Sequence, residues 1–515
     1  MASPYMDRSL QRDVAVSGFI ILLSIVASRI LWNLKFSPIA RQNIPGPWFA
    51  AAAELRFQWS GVRMDRAMWV DRLFKKYGPV VRIGPNRVVL LDSTAVHQLY
   101  RTLPFNKAEF MTLTTFGGGP NTLSTNDSFL HAKFRRWHAP ALRGTRMKDT
   151  ALTLSQKMED LVSRLVSDGQ MAAGVDILRL MKVHALDMLG IALFDSEFDQ
   201  VRTRKELALG QYTEDYLLGL MIRTTFPVIV QSLLKMLPIS RMRDIFAADD
   251  AICQFAAKLY DETPEVPVDT ENMNAVAAGK WYRDRITGET VTKEEVVSEM
   301  GIFLIAGTDT TAVALTYAFY HLAQLQDVYH HLRAELKSAN MSGALGNVDV
   351  LRGLPYLNAF IKEILRAHSP AGGMIERVVN DGPMTFAGYI VPEGTTVGAS
   401  ALASGMREDL FPHATQVNPE RWVEKTISGW AARKDISMSE MNAAWHPFNL
   451  GLRACPGRQL AETEILLTIT AVVMHLRIEL HESMTEGSMS HIDLGLIQPK
   501  GPRCQLHFAS NPLAG

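Results

Sequence analysis

Phe448-Asn449-Leu450-Gly451-Leu452-Arg453-Ala454-Cys455-Pro456-Gly457 is the stretch on which the reading of this chain turns. Its cysteine stands at the amino end of an apolar helical pattern that carries Leu460, Ile465, Leu466, Ile469 and Val473. Free backbone N–H groups and the helix dipole at such an end favour a thiolate. Gly451 and Gly457 let the backbone bend around the sulfur and aim further N–H groups at it, which damps its charge. A cysteine in a glycine-containing loop, taken alone, is more often a buried structural residue. The spaced phenylalanine, glycines and arginine around Cys455 move the reading toward one thiolate presented to a metal.

The rest of the chain narrows the classes. Its 515 residues hold 53 Lys and Arg against 53 Asp and Glu, and a zero formal charge removes the electrostatic warrant for nucleic-acid binding. With 47% hydrophobic and 21% charged residues, the chain can bury a large core and resembles neither a disordered nor a multi-span membrane protein. Cys253, Cys455 and Cys504 are odd in number and unpaired in spacing, against a disulfide scaffold or a cysteine zinc cluster. No Walker pattern, no His-Glu-x-x-His and no strand-bounded Gly-x-Gly-x-x-Gly occurs, and Gly117-Gly118-Gly119-Pro120 reads as a loop. A fused flavin or nicotinamide module is therefore not expected.

Val14 to Ser28 carries no charge, and beyond Arg29 the apolar character resumes through Ile30, Leu31, Trp32 and Leu34 to Phe36. That length just spans hydrocarbon, with Arg29 and Trp32 placed to reach the headgroups. Arg29, Lys35 and Arg41 follow with no acid until Glu54, whereas Arg8 and Arg12 face Asp7 and Asp13; this bias puts the following domain on the cytoplasmic side. The competing reading is a cleaved signal peptide, with Val26-Ala27-Ser28 as the small residues at its cleavage site. Ile44-Pro45-Gly46-Pro47 reads as a stiff hinge. The expected organisation is an anchor over 1–43 and one catalytic unit over 44–515.

That unit reads as mainly α with a minor β part. Val80 to Ile83, a Gly84-Pro85-Asn86 turn and Val88 to Leu91 form one strand pair, with more sheet around Phe386 to Val397. Thr292 and Glu295 form a capping box opening a long apolar helix toward Leu322. Pro355 to His368 is another helix, stopped by Ser369-Pro370.

The cysteine loop resembles the haem-binding pattern of the cytochrome P-450 family of haem-thiolate monooxygenases, met at Phe448, Gly451, Arg453, Cys455 and Gly457. The resemblance extends along essentially the whole chain, most closely to fungal microsomal members of specialised metabolism. It implies the P-450 fold behind a single transmembrane helix, haem b with Cys455 as the proximal iron ligand, Phe448 packed near the sulfur, and Arg453 paired with a propionate. Ala306-Gly307-Thr308-Asp309-Thr310-Thr311 resembles the oxygen-activation motif, in which Thr310 would hydrogen-bond the oxygen under activation and Asp309 would relay protons. Gly307 and the threonines are poor helix formers, so a local loosening that makes room for dioxygen is expected there. Glu363 and Arg366 resemble the Glu-x-x-Arg pair, and Pro419-Glu420-Arg421-Trp422 the segment whose arginine completes a buried ionic cluster, with Trp422 in place of the usual Phe. Arg377, and His131 with Arg135, match further propionate positions, although many relatives carry Trp where His131 stands.

The resemblance also implies an NADPH-dependent flavoprotein reductase as electron donor in the endoplasmic reticulum membrane, with Arg458 beside the haem loop as a docking residue. Family positions facing the substrate fall on Phe105, Phe116, Phe226, Ala306, Met374, Ile375, Leu496 and Ile497. They are apolar, which implies a lipophilic substrate of the terpenoid, polyketide or alkaloid kind. A haem-thiolate isomerase or dehydratase and a non-enzymatic membrane haem binder are the alternatives, and retention of Asp309 and Thr310 argues against both.

Overall fold

Thr292 starts the longest interior helix, Lys293–Gln324, through the expected capping box: its hydroxyl accepts the Glu295 N–H, and the Glu295 carboxylate accepts the Thr292 N–H. In the computed structural model, which describes residues 8–102, 105–142, 146, 150–169, 171–264, 273–284, 287–339, 347–423 and 436–511, this helix is the axis of the molecule. The helices Ile177–Leu189, Ser240–Glu262 and Arg458–His475 all pack on it. Its carboxyl half, from Ala312 to Ala323, joins Met181, Met188, Leu467, Ile469 and Val473 in one core; its amino half, from Met300 to Ile305, joins Leu186, Leu189, Leu220 and Ile252 in another. Apolar side chains on every face explain its buried position.

The largest part of the β structure is a five-stranded sheet, beside a three-stranded sheet and two hairpins among the described residues. Val80–Gly84 pairs antiparallel with Arg87–Leu90, which lies parallel to Thr396–Ser400, and Met374–Val378 and Asn106–Lys107 complete the order. The two expected strands around Gly84-Pro85-Asn86 are present. The sheet expected near Phe386 divides into a hairpin, Met384–Phe386 with Tyr389–Val391, and the strand Thr396–Ser400. Lys107 ends up directly across from Arg377. A second hairpin, His491–Asp493 with Ile497–Pro499, is tied to Pro370, whose carbonyl accepts the Ile497 N–H at 2.7 Å.

Two described helices are long and apolar enough to cross a membrane, and they differ in surroundings. Lys293–Gln324 is interior. The amino-terminal segment, Arg12–Gln42, exposes Phe19, Ile20, Ile21, Leu22 and Ile25, the side chains that a water-exposed helix would not carry. The stretch from Pro45 to Pro47 is tied to the sheet as well as stiffened by its prolines. The Arg82 N–H donates to the Pro45 carbonyl at 2.8 Å, the Arg82 guanidinium donates to the Asn33 carbonyl at 2.8 Å, and the Asn33 amide donates to the Ala52 carbonyl at 2.9 Å. A buried arginine from the first strand thus holds the end of the amino-terminal helix against the sheet.

Candidate active site

The cysteine loop is fixed by its own backbone. The Cys455 N–H donates to the Phe448 carbonyl at 2.9 Å and the Ala454 N–H to the Gly451 carbonyl at 3.1 Å, while the Gly457 N–H points at the Cys455 sulfur. Gly451 has φ +72°, and a Cβ there would run into the Tyr100 carbonyl oxygen. Gly451→Ala is therefore expected to displace the loop: left-handed backbone alone costs a non-glycine residue about 1–3 kcal/mol, and haem content per mole and melting temperature should both fall on purification.

Cys455 lies deep in the protein yet exposes its sulfur, because it opens onto an internal cavity of about 320 Å³. Burial pushes its thiol up, and the Gly457 N–H, Arg135 and Arg458 pull it only part of the way back. The helix end alone therefore does not deliver the thiolate; a cation at the sulfur would. Phe448 and Pro456 line the cavity beside it, and the exposed Arg458 sits 5.3 Å over the Phe448 ring and 2.8 Å from Glu462.

One wall of the cavity is cationic. Lys107 Nζ donates to the Thr122 and Thr125 carbonyls at 2.7 and 2.9 Å, and Arg453 donates to Thr125 O at 3.0 Å. Arg377, buried, donates to the Glu376 carbonyl at 2.9 Å and sits behind Lys107. Burial, reinforced by Arg453 and Arg377, lowers Lys107 to about 6; burial lowers His131 to about 4, and Arg377 to about 10. Glu299 is the acid on that wall: its carboxylate accepts the Thr122 N–H at 2.7 Å, and burial raises it to about 7. Arg453 and Arg377 therefore carry the positive charge of that wall, while Lys107 and His131, lowered by burial, are donors that a dianion beside them would draw back toward the charged form. With Glu299 as its one acid, this wall suits a dianion. Sulfur at one point of the cavity and surplus positive charge at another fit a haem with its two propionates. Lys107, His131 and Arg453 reach the cavity wall; Arg377 stands behind it, and Arg135 instead donates to the Ala454 carbonyl at 3.3 Å, bracing the cysteine loop.

The long helix keeps its regular form through Ala306 to Thr311. Thr310 Oγ1 donates to the Ala306 carbonyl at 2.6 Å without breaking the ladder. Gly307 serves packing rather than a dent, since a Cβ there would lie 2.7 Å from Leu189 Cδ1. Thr310 faces the cavity. Asp309 faces away, buried, with Oδ1 3.2 Å from Lys182 Nζ, and the same ammonium lies 2.7 Å from the exposed Glu214. Burial lowers the Lys182 pKa, but Asp309 and Glu214 outweigh it and the net direction is up, so Lys182 stays charged. Beneath Thr311, Glu464 is wholly buried and pushed well up by burial, with the Thr311 hydroxyl as its partner.

Of the expected substrate residues, Ala306, Ile375 and Leu496 line the cavity. Phe105 does not: it packs on Phe386 under the sheet, with ring centroids 6.3 Å apart. Phe116 lies one layer back, stacked on Tyr216 at 4.7 Å. Phe226 ends the helix Leu209–Thr225 and gives its carbonyl to Gln231. Met374 points into the sheet core with Val81 and Val89, and Ile497 packs on Ala67 and Leu402. Strand alternation decides both, because neighbours in a strand face opposite ways. Sequence reasoning missed Lys107, Lys182, Glu299 and Glu464. Glu299 and Glu464 had a signal, an acid within an apolar helix; Lys107 and Lys182 had none.

Glu363 is the hub of the ionic cluster. Arg366 grips its carboxylate with two bonds of 2.8 Å, Arg421 adds one of 3.0 Å, the Asn418 N–H one of 3.0 Å and the Trp422 indole N–H one of 2.9 Å. Trp422 thus contributes a hydrogen bond that phenylalanine could not make.

The family model for cytochrome P450 matches residues 45–504. The chain is 28% identical over 505 residues to the cytochrome P450 monooxygenase orf2 of Aspergillus niger, covering 95% of this chain and 96% of that one. It is also 28% identical to the tryprostatin B 6-hydroxylase of Aspergillus fumigatus, covering 92% and 81%. Among solved structures, the retinoic acid-bound cyanobacterial CYP120A1 superposes with a TM-score of 0.71 at 18% identity, covering 91% of this chain and 99% of its own. Fold, family model and relatives agree: the chain belongs to the cytochrome P450 family and is an oxygen-incorporating monooxygenase that works with haem iron.

Proposed function

We propose that residues 44–515 form a haem-thiolate monooxygenase, held at the endoplasmic reticulum by the single anchor over 1–43, that oxidises a lipophilic intermediate of specialised metabolism. The observation that carries this reading is one cavity that presents the Cys455 sulfur, an apolar substrate wall and a buried cationic wall together. Bound haem supplies dioxygen activation and takes its electrons from an NADPH-dependent flavoprotein reductase. The chain does the rest. Cys455 would be the iron ligand; Lys107, His131 and Arg453, which reach the cavity wall, would hold the propionates, backed by Arg377, and Phe448 would shield the sulfur. Apolar residues exclude water from the reacting carbon. Thr310 holds a proton at its hydroxyl on the cavity face, and Asp309 receives protons from solvent along Lys182 and Glu214.

Lys182→Met leaves Asp309 buried without its cation and cuts that path. Coupled product formation should fall about 100-fold, with peroxide release rising and substrate affinity unchanged; full coupling in the variant would remove Lys182 from proton delivery. Localisation is supported by a second apolar surface. Val228, Ile229, Leu233 and Met236 are exposed on Val228–Met236, and Leu55 and Trp59 on Leu55–Val62, two helices that both pack on Leu209–Thr225, and such apolar exposure suits lipid. The exposed Arg458 presents the cysteine-loop face to the reductase. Relatives such as the tryprostatin B 6-hydroxylase support the assignment to secondary metabolism. Turnover under isotopic dioxygen tests the proposal: one labelled oxygen in the product supports it, and an unlabelled rearranged product would mean an isomerase or dehydratase.

A further inference from the structure

Three imidazoles outside the cavity are chained end to end. His321 Nε2 lies 2.7 Å from His368 Nε2, and His368 Nδ1 lies 2.8 Å from His491 Nε2. They come from three elements: His321 from the last turn of the long helix, His368 from the cap that ends Pro355–Ala367, and His491 from the start of the hairpin His491–Asp493 with Ile497–Pro499. Tyr317, one turn before His321, lies flat on the His368 ring at 3.9 Å and 10°. Its hydroxyl donates to the carbonyl of Met489, just ahead of the hairpin, at 3.2 Å.

What the chain holds is part of the substrate wall. Pro370 and Ala371 follow His368 closely, Gly495 and Leu496 form the tip of the hairpin that His491 begins, and all four line the cavity. The Pro370 carbonyl accepts the Ile497 N–H, which ties the two pieces together. The tip is close-packed: Gly495 has φ +86°, and a Cβ there would come within 2.8 Å of the Phe110 ring, itself on the cavity wall. A neutral imidazole carries one N–H and one bare nitrogen, so His368 completes the chain with all three rings uncharged, accepting from one neighbour and donating to the other. Charge is opposed there. Burial lowers His321 and His491 to about 4, and Glu363 pulls only His321 part of the way back; burial lowers His368 furthest, with His321, His491 and Arg366 adding to it. The phenols against these rings, Tyr317 and Tyr320, are pushed up by burial and stay neutral, and Cys504 and Glu486 act on those phenols. Asp493, on the same hairpin, turns to the Ala67 and Gly495 N–H groups.

We infer that His368 is a positioning residue for the oxidation: as the shared centre of the His321–His368–His491 chain it seats Pro370, Ala371 and the hairpin tip Gly495–Leu496 against the substrate, and the seating holds only while the chain is uncharged. This rests on the reading above that the cavity takes the substrate. Above about pH 6.5, the ordinary histidine value, seated and released rings are alike neutral and the hairpin is fully held. Below it, released rings take up protons that the seated ones, titrating near 4, refuse. Each histidine freed by a local opening therefore raises the opened fraction about tenfold by about pH 5.5.

The test uses the full-length, haem-loaded protein, with its reduced carbon monoxide band recorded first, so that failure of the haem reading is recognised separately. Amide hydrogen exchange of the hairpin, divided by the chemical exchange rate at each pH, reads its opening. In the wild type that opening should rise about tenfold or more between about pH 7.5 and pH 5.5. His491→Gln keeps a hydrogen-bonding amide for His368 Nδ1 but has no ring to protonate; it should stay protected at the higher pH and lose about tenfold of the rise. The substrate side is read at the higher pH by two iron ligands followed through the Soret band: clotrimazole, whose aryl rings fill the cavity, and imidazole, which needs only the iron. His368→Leu should weaken clotrimazole about tenfold and leave imidazole unchanged. A hairpin that ignores pH in the wild type, an undiminished rise in His491→Gln, unchanged clotrimazole affinity in His368→Leu, or no clotrimazole binding by band-positive wild type would each overturn the inference. If His368→Leu does not retain haem, His491→Leu removes only the bond to the hairpin and should show the same selective loss; unchanged clotrimazole affinity there would also overturn it.

Discussion

Replacing Cys455 by alanine is expected to abolish reductase-dependent turnover and to remove the strongly red-shifted Soret band of the reduced carbon monoxide complex. The sulfur is the one thiol on the cavity wall, and the other cysteines cannot substitute: Cys504 is buried elsewhere, and Cys253 sits beside Gly117 with its thiol pushed up by burial. Electron donation from a thiolate is what the haem iron needs to cleave the O–O bond, so no residual activity should survive. The loop keeps its shape in the variant, since its bonds run between backbone groups of Phe448, Gly451, Ala454 and Cys455. Far-ultraviolet dichroism should therefore be unchanged. A band typical of histidine-ligated haem in the wild type would defeat the assignment.

The second large effect is on stability. Glu363→Gln strands Arg366 and Arg421, both buried, and weakens the acceptor of the Trp422 indole and the Asn418 N–H. Breaking a buried ion pair by removing one partner costs about 3–5 kcal/mol, a large part of the net stability of about 5–15 kcal/mol of a typical domain. The loss has a pH signature. Burial pushes the Glu363 carboxyl up, but Arg366 and Arg421 outweigh it and the net direction is down. A depressed acid stabilises the fold fully above its unfolded pKa of about 4.3 and loses that contribution as pH falls through the lower folded value. Urea midpoints of wild type and variant should therefore stand far apart near neutrality and converge in acid. A constant gap across that range would mean that the cluster acts through packing rather than charge.

Trp422 shows how a departure from the usual sequence pattern reads differently in three dimensions. As sequence it is a larger ring in an aromatic position; in the fold its N–H completes the ring of donors around Glu363. Trp422→Phe should accordingly cost about 1 kcal/mol, with haem content intact, as measured by urea unfolding.

The fold class, the apolar amino-terminal helix, the capping box and the loop that presents Cys455 were legible because each is written in contiguous residues: an apolar run, a Thr-x-x-Glu step, a glycine-flanked cysteine. Those signals depend on local backbone geometry, which a short segment fixes by itself. Arg453, Arg377, His131 and Asp309 were legible through motifs, but the places of Lys107 beside the first three and of Lys182 beside Asp309 were not. Lys107 faces Arg377 only because two strands far apart in the chain pair, and Lys182 meets Asp309 only because Ile177–Leu189 packs on the long helix. Likewise Phe105, Met374 and Ile497 are apolar in sequence whether they face a substrate or a core. Hydrophobicity says that a side chain will be buried, and only the packing of whole elements decides against what.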